Sequence, residues 1–245
     1  MPEKLVIIPM YNERENAENV IRKVFSLPGG FHILVVEDHS PDGTAGIVKR
    51  LQGEFRGALH LVERPGKQGL GTAYIAGFRW ALEHGYEYIF EMDADFSHNP
   101  DDLLHLYDAC TAGADVAVGS RYSCGISVVN WPLSRVLMSY FASKYVRFVT
   151  RMKIQDTTAG FVCYRRRVLQ AIAFDSIRMK GYGFQIEMKY TACRLGFRVV
   201  ETPIIFIDRK AGVSKMSSGI FGEAFTGVLK LRFRKIKPLS AVVGK

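Results

Sequence analysis

The sequence predicts an α/β fold with a mostly parallel, doubly wound sheet, followed by a basic amphipathic tail. Short, continuous apolar runs such as LVIIP at 5–9 and FHILVV at 31–36 are typical of strands that are buried on both faces. Between them lie stretches with apolar residues three and four positions apart, which indicates helices. This alternation of strands and helices predicts right-handed crossovers and helices on both faces of one sheet.

The elements can be placed in order along the chain. Strands are predicted at 5–9, 31–36, 59–62, 88–92 and 115–119. Helices are predicted at 16–25, after Gly43, and at 72–84, 103–112, 132–150, 165–172 and 184–195. Residues 156–164 are expected to form a loop that enters a strand, and 197–207 are rich in strand formers. Gly85 and Gly196 stand where a glycine commonly ends a helix.

Composition limits the class of protein. At 48% hydrophobic and 23% charged residues, the 245-residue chain is predicted to be globular rather than disordered. Its net charge of +9 favours anionic partners, such as nucleic acid, nucleotide phosphates or an anionic membrane. The four cysteines are scattered without a CxxC pair, which argues against a zinc site and for free thiols in a reducing cytosol. The sequence shows neither a signal peptide nor an apolar stretch long enough to span a membrane.

Acidic and polar residues follow three of the predicted strands. The stretch YIFEMDADFSHNP at 88–100 places Asp93 and Asp95 after a buried strand. Residues 11–13 follow the first strand, and Glu37 and Asp38 follow the second. Ligands of doubly wound sheets bind outside the carboxyl ends of the strands. Asp-x-Asp alone is a weak signal, but three such clusters at one edge predict a site where a hard cation and phosphates bind.

The segment from 208 to the end is dense in lysine and arginine, with apolar residues between them. Such a basic amphipathic segment is typical of the interface of an anionic membrane. An ordinary surface helix that packs on the domain is the alternative. We expect a catalytic domain at 1–216 and a basic segment at 217–245 that contacts a membrane surface.

Several motifs together resemble the inverting family-2 glycosyltransferases of GT-A fold, and more narrowly the polyprenol (dolichol) phosphate mannosyltransferases. These motifs are PMYNE at 9–13, EDHSPDGT at 37–44, GKQGLGTAY at 66–74, MDADFSHNP at 92–100, GSRY at 119–122, NWPLSR at 130–135, DTTAGF at 156–161, KGYGFQIEM at 180–188 and DRKAGVSKM at 208–216. PMYNE and Asp-x-Asp are shared by many sugar transferases. NWPLSR and DRKAGVSK point to transfer onto a lipid phosphate.

The resemblance implies a set of donor-binding residues: Pro9, Tyr11, Glu13, Val36, Asp38, Asp93, Ala94, Asp95, Lys180, Gln185, Arg209 and Lys215. Asp93 and Asp95 would hold Mg²⁺ or Mn²⁺ on the donor diphosphate, with Ser97 as a weaker ligand. The glycines at 69 and 71 would let the backbone approach the site. The family usually carries Asp-Asp where this chain has Glu37-Asp38, which leaves the nucleotide open.

The resemblance also implies an anionic acceptor, a polyprenyl or dolichyl phosphate. Arg121 and Arg135 are expected to bind its phosphate with the help of Ser139, because guanidinium groups grip phosphate oxygens. Asp95, Arg121 and Arg135 are therefore the expected catalytic residues. The expected reaction moves mannose from GDP-mannose to the lipid phosphate with inversion. It would occur at the cytoplasmic face of a membrane, where the protein is peripherally attached by its tail or by an anchoring subunit.

Three alternatives remain at this stage. A related transferase could use UDP-glucose or another sugar nucleotide. A nucleic-acid-binding protein would suit the charge, but the sequence lacks a helix-turn-helix or RNA-binding signature. A catalytically inactive membrane adaptor is disfavoured because Asp93 and Asp95 are both present.

Overall fold

The computed structural model describes residues 3–179, 181–208 and 220–238. Its strands are β1 (Lys4–Met10), β2 (His32–Glu37), β3 (Leu59–Glu63), β4 (Tyr88–Glu91), β5 (Val116–Ser120), β6 (Val128–Val129), β7 (Val162–Arg165), β8 (Val199–Pro203) and β9 (Phe206–Ile207). Its helices are α1 (Ala17–Phe25), α2 (Thr44–Glu54), α3 (Leu70–Glu83), α4 (Asp102–Thr111), α5 (Leu133–Thr150), α6 (Arg166–Ala171), α7 (Tyr182–Arg194) and α8 (Ile220–Phe233).

Seven strands form one sheet in the order β3-β2-β1-β4-β7-β5-β8. β7 runs antiparallel to both of its neighbours, and the other neighbouring pairs are parallel. The strand order reverses direction between β1 and β4, which is the switch point where doubly wound sheets bind ligands. The predicted mostly parallel sheet is thus confirmed. A separate two-stranded ribbon, β6 with β9, was not predicted.

Alternate residues of the strands enter two apolar layers. In β1, Val6 and Ile8 join the layer under α1, α2 and α4, whereas Leu5 and Ile7 join the layer under α3, α6 and α7. All four side chains are fully buried, as expected for a strand covered by helices on both faces. The carboxyl edge of the sheet is left for the loops that carry the polar residues.

The part of the tail that the structure describes packs on the rest of the domain. α8 lies against α5 and α7, with Val228 and Leu231 buried in an apolar cluster that includes Val146 and Tyr190. Lys230 on the same helix is exposed, and Arg232 is partly exposed. The division at 216 and 217 stays a prediction. None of the helices in 3–179, 181–208 or 220–238 has both the length and the apolar character that a membrane span needs.

Gly77 lets α3 lie close to β1. A Cβ atom at this position would stand 2.7 Å from Cγ2 of Ile7. We therefore expect Gly77→Ala to lower the free energy of unfolding by about 1–3 kcal/mol, measured by urea denaturation. Gly46 in α2 has open space around it, so Gly46→Ala is the matched control and is expected to gain about 0.5–1 kcal/mol. Equal gains from both variants would contradict the close approach.

Candidate active site

The loops after β1 and β2 are joined at the carboxyl edge of the sheet by hydrogen bonds from backbone N–H groups to side-chain hydroxyls. The backbone N–H of Asn12 donates to Oγ of Ser40 at 3.0 Å, and that of Glu13 donates to Oγ1 of Thr44 at 3.0 Å. Asn12 has a φ of 53°, in the left-handed region that asparagine tolerates better than most residues. The two motifs PMYNE and EDHSPDGT therefore form one wall, as the convergence of strand ends predicted.

Glu37 and Asp38 have different partners. The Glu37 carboxylate accepts hydrogen bonds from the backbone N–H groups of His39 and Ser40, at 2.9 and 2.7 Å, and so shapes its own loop. Asp38 accepts a two-pronged hydrogen bond from the guanidinium of Arg64, at 2.6 and 2.7 Å. This buried pair fixes the Asp38 carboxylate at the end of β2. Glutamate in place of the family's usual first aspartate thus has a local structural role, and Asp38 stays the candidate for the nucleotide.

Asp93 and Asp95 lie on the turn after β4, next to the end of β1. The Asp95 carboxylate accepts the backbone N–H of Ser97 at 3.1 Å, which stabilises the turn. The Asp93 side chain is 40% exposed, with Oδ2 4.0 Å from Nδ1 of His98 and Oδ1 3.5 Å from the Tyr74 hydroxyl. Burial lowers the pKa of His98 to about 4, so this ring is neutral at pH 7.

The carboxylate oxygens of Asp93 and Asp95 are ligands that suit a hard cation. Within the described part of the chain, no group of three or more His, Cys, Asp or Glu gathers around a common point. Two carboxylates are nevertheless the usual protein contribution when substrate phosphates and water supply the remaining ligands of Mg²⁺. A neutral His98 beside the pair adds no positive charge that would compete with a cation. Asp93 and Asp95 are thus suited to hold Mg²⁺ or Mn²⁺ on a diphosphate.

A buried polar layer lies beneath this turn, and the sequence did not predict it. Burial raises the pKa of Glu91 to about 8, although the positive charge of Lys189 opposes the shift. Lys189 donates to the backbone carbonyl of Ala159 at 2.6 Å, and burial lowers its pKa to about 8. Gln185 is 2% exposed and faces Glu91. The predicted donor residue Gln185 is therefore placed in the layer behind the carboxylates.

Arg121 is held in a buried ion pair with Asp156. Both Nε and Nη2 of Arg121 donate to the Asp156 carboxylate, at 2.6 and 2.7 Å, and Nη2 also donates to Oγ1 of Thr158 at 2.8 Å. Burial alone would raise the pKa of Asp156, but the charge and hydrogen bonds of Arg121 outweigh it and lower that pKa. The motifs GSRY and DTTAGF thus meet through this pair.

Arg121 and Arg135 share one aromatic ring. The guanidinium carbons of Arg121 and Arg135 lie 5.4 and 4.1 Å from the centroid of Trp131, within the range of cation–π attraction. Arg135 also donates to Asp208 at 2.9 Å, and its side chain is 32% exposed. Ser139 accepts a hydrogen bond from the hydroxyl of Tyr122 at 2.8 Å. The structure therefore brings the predicted acceptor residues around Trp131 and Tyr122.

The arginine cluster adjoins the Asp-x-Asp turn. The ring of Phe206 packs edge-on against Trp131 at 5.1 Å and against His98 at 5.3 Å. The backbone N–H of Ile207 donates to the carbonyl of Ser97 at 3.2 Å. The turn that carries the carboxylates and the residues that carry the cations are thus in contact through β9. Such an arrangement can hold two anionic groups next to each other.

The remaining predicted residues fall into four groups. Pro9 and Val36 pair in register across β1 and β2; Val36 is fully buried, so contact with a nucleotide there would involve its backbone. Ala94 lies between the two aspartates and is 4% exposed. Lys180, Arg209 and Lys215 lie outside the described residues. Tyr11 lies beside Lys67, whose Nζ is 5.0 Å from the ring centroid.

A doubly wound sheet with an Asp-x-Asp turn at its switch point and an adjoining cluster of arginines has the features of the GT-A fold. The profile of glycosyl transferase family 2 matches residues 5–173, and the chain belongs to this family. It is 47% identical over 230 residues to the polyprenol monophosphomannose synthase of Mycolicibacterium smegmatis, covering 94% of this chain and 87% of that protein. It is 45% identical over 226 residues to the undecaprenyl-phosphate mannosyltransferase of Micrococcus luteus, covering 92% of each.

Solved structures have the same fold at low identity. Glucosyl-3-phosphoglycerate synthase from Mycobacterium tuberculosis, in complex with Mn²⁺, UDP and phosphoglyceric acid, superposes with a TM-score of 0.69. It is 16% identical, and the match covers 95% of this chain and 79% of that one. The mannosyltransferase PcManGT from Pyrobaculum calidifontis, in complex with GDP-Man and Mn²⁺, gives a TM-score of 0.56 at 19% identity, covering 95% and 70%. These similarities confirm the predicted GT-A fold.

Proposed function

We propose that this protein transfers mannose from GDP-mannose to a polyprenyl phosphate, with inversion, and releases GDP. The observation that carries this proposal is the contact, through Phe206, between the carboxylate turn at Asp93–Asp95, which is suited to a cation, and the arginine cluster around Trp131, which is suited to an anion. The first suits a metal-bound diphosphate, and the second suits a phosphate acceptor. The names of the two bacterial relatives support the mannosyl group and the lipid acceptor.

In this proposal the donor lies along the ends of β1, β2 and β4. Asp38, held by Arg64, accepts hydrogen bonds from the base or the ribose, and Tyr11 and Glu13 line the same wall. Asp93 and Asp95 hold Mg²⁺ or Mn²⁺, which when bound withdraws charge from the leaving diphosphate. Lys180, Arg209 and Lys215 belong to the donor set by motif alone.

The acceptor needs no strong general base, because its phosphate oxygen is already anionic at neutral pH. In the proposed reaction Arg135 binds this phosphate, while Arg121 adds positive charge from within its pair with Asp156 and Ser139 donates a hydrogen bond. A phosphate oxygen forms the new bond to the anomeric carbon as the bond from that carbon to the diphosphate oxygen breaks. Attack from the opposite face inverts the anomeric centre.

The location follows from the acceptor. A polyprenyl chain is held in a bilayer, so the protein would work at a membrane surface, on the cytoplasmic side where sugar nucleotides are present. Peripheral attachment through its own surface or through an anchoring subunit would serve this purpose.

A transfer assay with two donors and two acceptors tests the proposal. Radiolabelled GDP-mannose and UDP-glucose are each incubated with a polyprenyl phosphate and with the unphosphorylated polyprenol. We expect labelled lipid from GDP-mannose with the phosphate only, because the arginines recognise an anion. Transfer from UDP-glucose alone would support the alternative donor that the Glu37-Asp38 pair leaves open. Absence of transfer from any donor would contradict the proposed enzyme.

A further inference from the structure

Helix α5 exposes an apolar stripe to solvent. Leu133, Phe141 and Phe148 are 72%, 62% and 86% exposed, and Leu137 and Met138 beside them are about half exposed. Steps of four, four and seven from 133 through 137 and 141 to 148 keep these side chains on one face of the helix. Soluble monomers rarely expose a contiguous apolar face of this kind unless it contacts another molecule.

The exposed apolar residues are concentrated on one side of the fold. Eleven of the thirteen large hydrophobic side chains that are exposed within the described residues belong to α5, to α8 or to the β6–β9 ribbon and its approaches. The remaining two, Leu70 and Phe96, are each only 37% exposed. α8 packs against α5, and Val129 pairs in register with Ile207 across the ribbon. We call the exposed face of α5 together with this ribbon the α5 surface.

The α5 surface is continuous with the acceptor residues. Arg135 and Ser139 lie on α5 itself, between Leu133 and Phe141 in sequence but on the half-buried face of the helix. Arg135 stacks on Trp131, just before the helix, and pairs with Asp208, just after β9. A lipid phosphate that reaches Arg135 from a bilayer must therefore approach along elements that also carry the exposed apolar residues.

Cations accompany the stripe toward the end of the helix. Lys144 lies within it and is exposed. A cavity of about 550 Å³ next to the last turn of α5 is lined by four cations, Arg151, Lys153, Arg194 and Arg232. Within the described residues these four form no ion pair. The acid in the cavity wall, Glu201, already accepts the backbone N–H groups of 155 and 156.

We infer that the α5 surface inserts into the interface of an anionic bilayer, with its phenylalanines among the acyl chains and the neighbouring cations at the phosphate groups. The inference rests on the proposed function, which supplies the reason for a lipid-facing acceptor helix. It assigns the principal membrane contact to α5 instead of the basic tail. Apolar area and anionic attraction act together in such interfacial helices.

Vesicle binding tests the inference without any substrate. Full-length protein is sedimented with phosphatidylcholine vesicles that contain phosphatidylglycerol, and with phosphatidylcholine alone. Phe141→Ser/Phe148→Ser is expected to bind the anionic vesicles about tenfold more weakly for each phenylalanine that it loses. Phe141→Leu/Phe148→Leu is the matched control, because it keeps the apolar character, and should bind nearly as wild type. Binding of wild type should weaken on zwitterionic vesicles and at high salt.

Three further measurements separate the outcomes. Phe233→Ser removes a phenylalanine of α8 that is 85% exposed, so a larger loss from this variant than from the α5 pair would assign the contact to the tail and overturn the inference. Analytical ultracentrifugation measures the oligomeric state. A wild-type dimer that becomes monomeric in Phe141→Ser/Phe148→Ser would make the α5 surface a protein interface and would also overturn the inference. Mannosyl transfer to a short, water-soluble isoprenyl phosphate reports the proposed function separately, and the serine pair should retain it.

Discussion

Asp95→Asn is expected to lower kcat/KM for sugar transfer by about a hundredfold or more. The substitution removes one of two carboxylates suited to hold the cation on the leaving diphosphate, and that charge stabilisation is worth about 3 kcal/mol in the transition state. Asparagine retains an Oδ1 atom that can still accept the backbone N–H of Ser97, so the turn is expected to survive. The loss should therefore be chemical, and the melting temperature should change little.

Asp101→Asn provides the matched control for Asp95→Asn. Asp101 lies six positions further along, is 50% exposed on its side chain and pairs with Lys23 on the surface. The Asp101→Asn substitution removes the same charge at a position outside the site, so the rate of sugar transfer should stay near that of wild type. A metal titration adds a second readout, because Asp95→Asn should need more Mg²⁺ or Mn²⁺ to reach half of its remaining activity. Full transfer by this variant would remove the metal site from the proposed mechanism.

The edge of the site was predictable because it depends on short-range patterns. Each strand is a continuous apolar run, and each is followed at once by polar residues, so the residues at 11–13, 37–38 and 93–95 could be placed at one edge. The structure sets β2, β1 and β4 side by side, which brings these clusters together. The direction of β7 was not readable in the same way, since an apolar strand has the same sequence pattern in either direction.

The partners of the arginines could not be predicted from the sequence. Asp156 lies 35 residues from Arg121 and Arg64 lies 26 residues from Asp38, and no periodicity links residues at such separations. Glu91 was hidden within an apolar run. The motif DTTAGF contained a signal, because an acid that opens a motif rich in small residues is a candidate partner for a buried cation. The exposed stripe of α5 was equally hidden, since an apolar helical face is normally assigned to a core.

Asp156→Asn is expected to lower the free energy of unfolding by about 3–5 kcal/mol at neutral pH. Asp156 is fully buried and receives three hydrogen bonds from Arg121, one from its backbone N–H and two from its guanidinium. Removing the negative charge leaves the buried Arg121 without its counter-charge, which is more damaging than removing both partners. Arg121→Met/Asp156→Asn should accordingly be more stable than the sum of the single losses predicts, in a double-mutant cycle by urea denaturation.

The pH dependence gives this prediction a definite sign. The pKa of Asp156 is lowered in the folded state from its ordinary 3.8, so its stabilising contribution is fully present above that value and is lost as the pH falls through the folded-state pKa. The difference in the free energy of unfolding between wild type and Asp156→Asn should thus be constant near neutral pH and should become smaller in acid. Asp175→Asn, which breaks the exposed pair with Arg79, is the matched control and should change stability by less than about 1 kcal/mol. A loss as small as this for Asp156→Asn would mean that Arg121 is held by its other contacts, and that the ion pair does not position it for the acceptor.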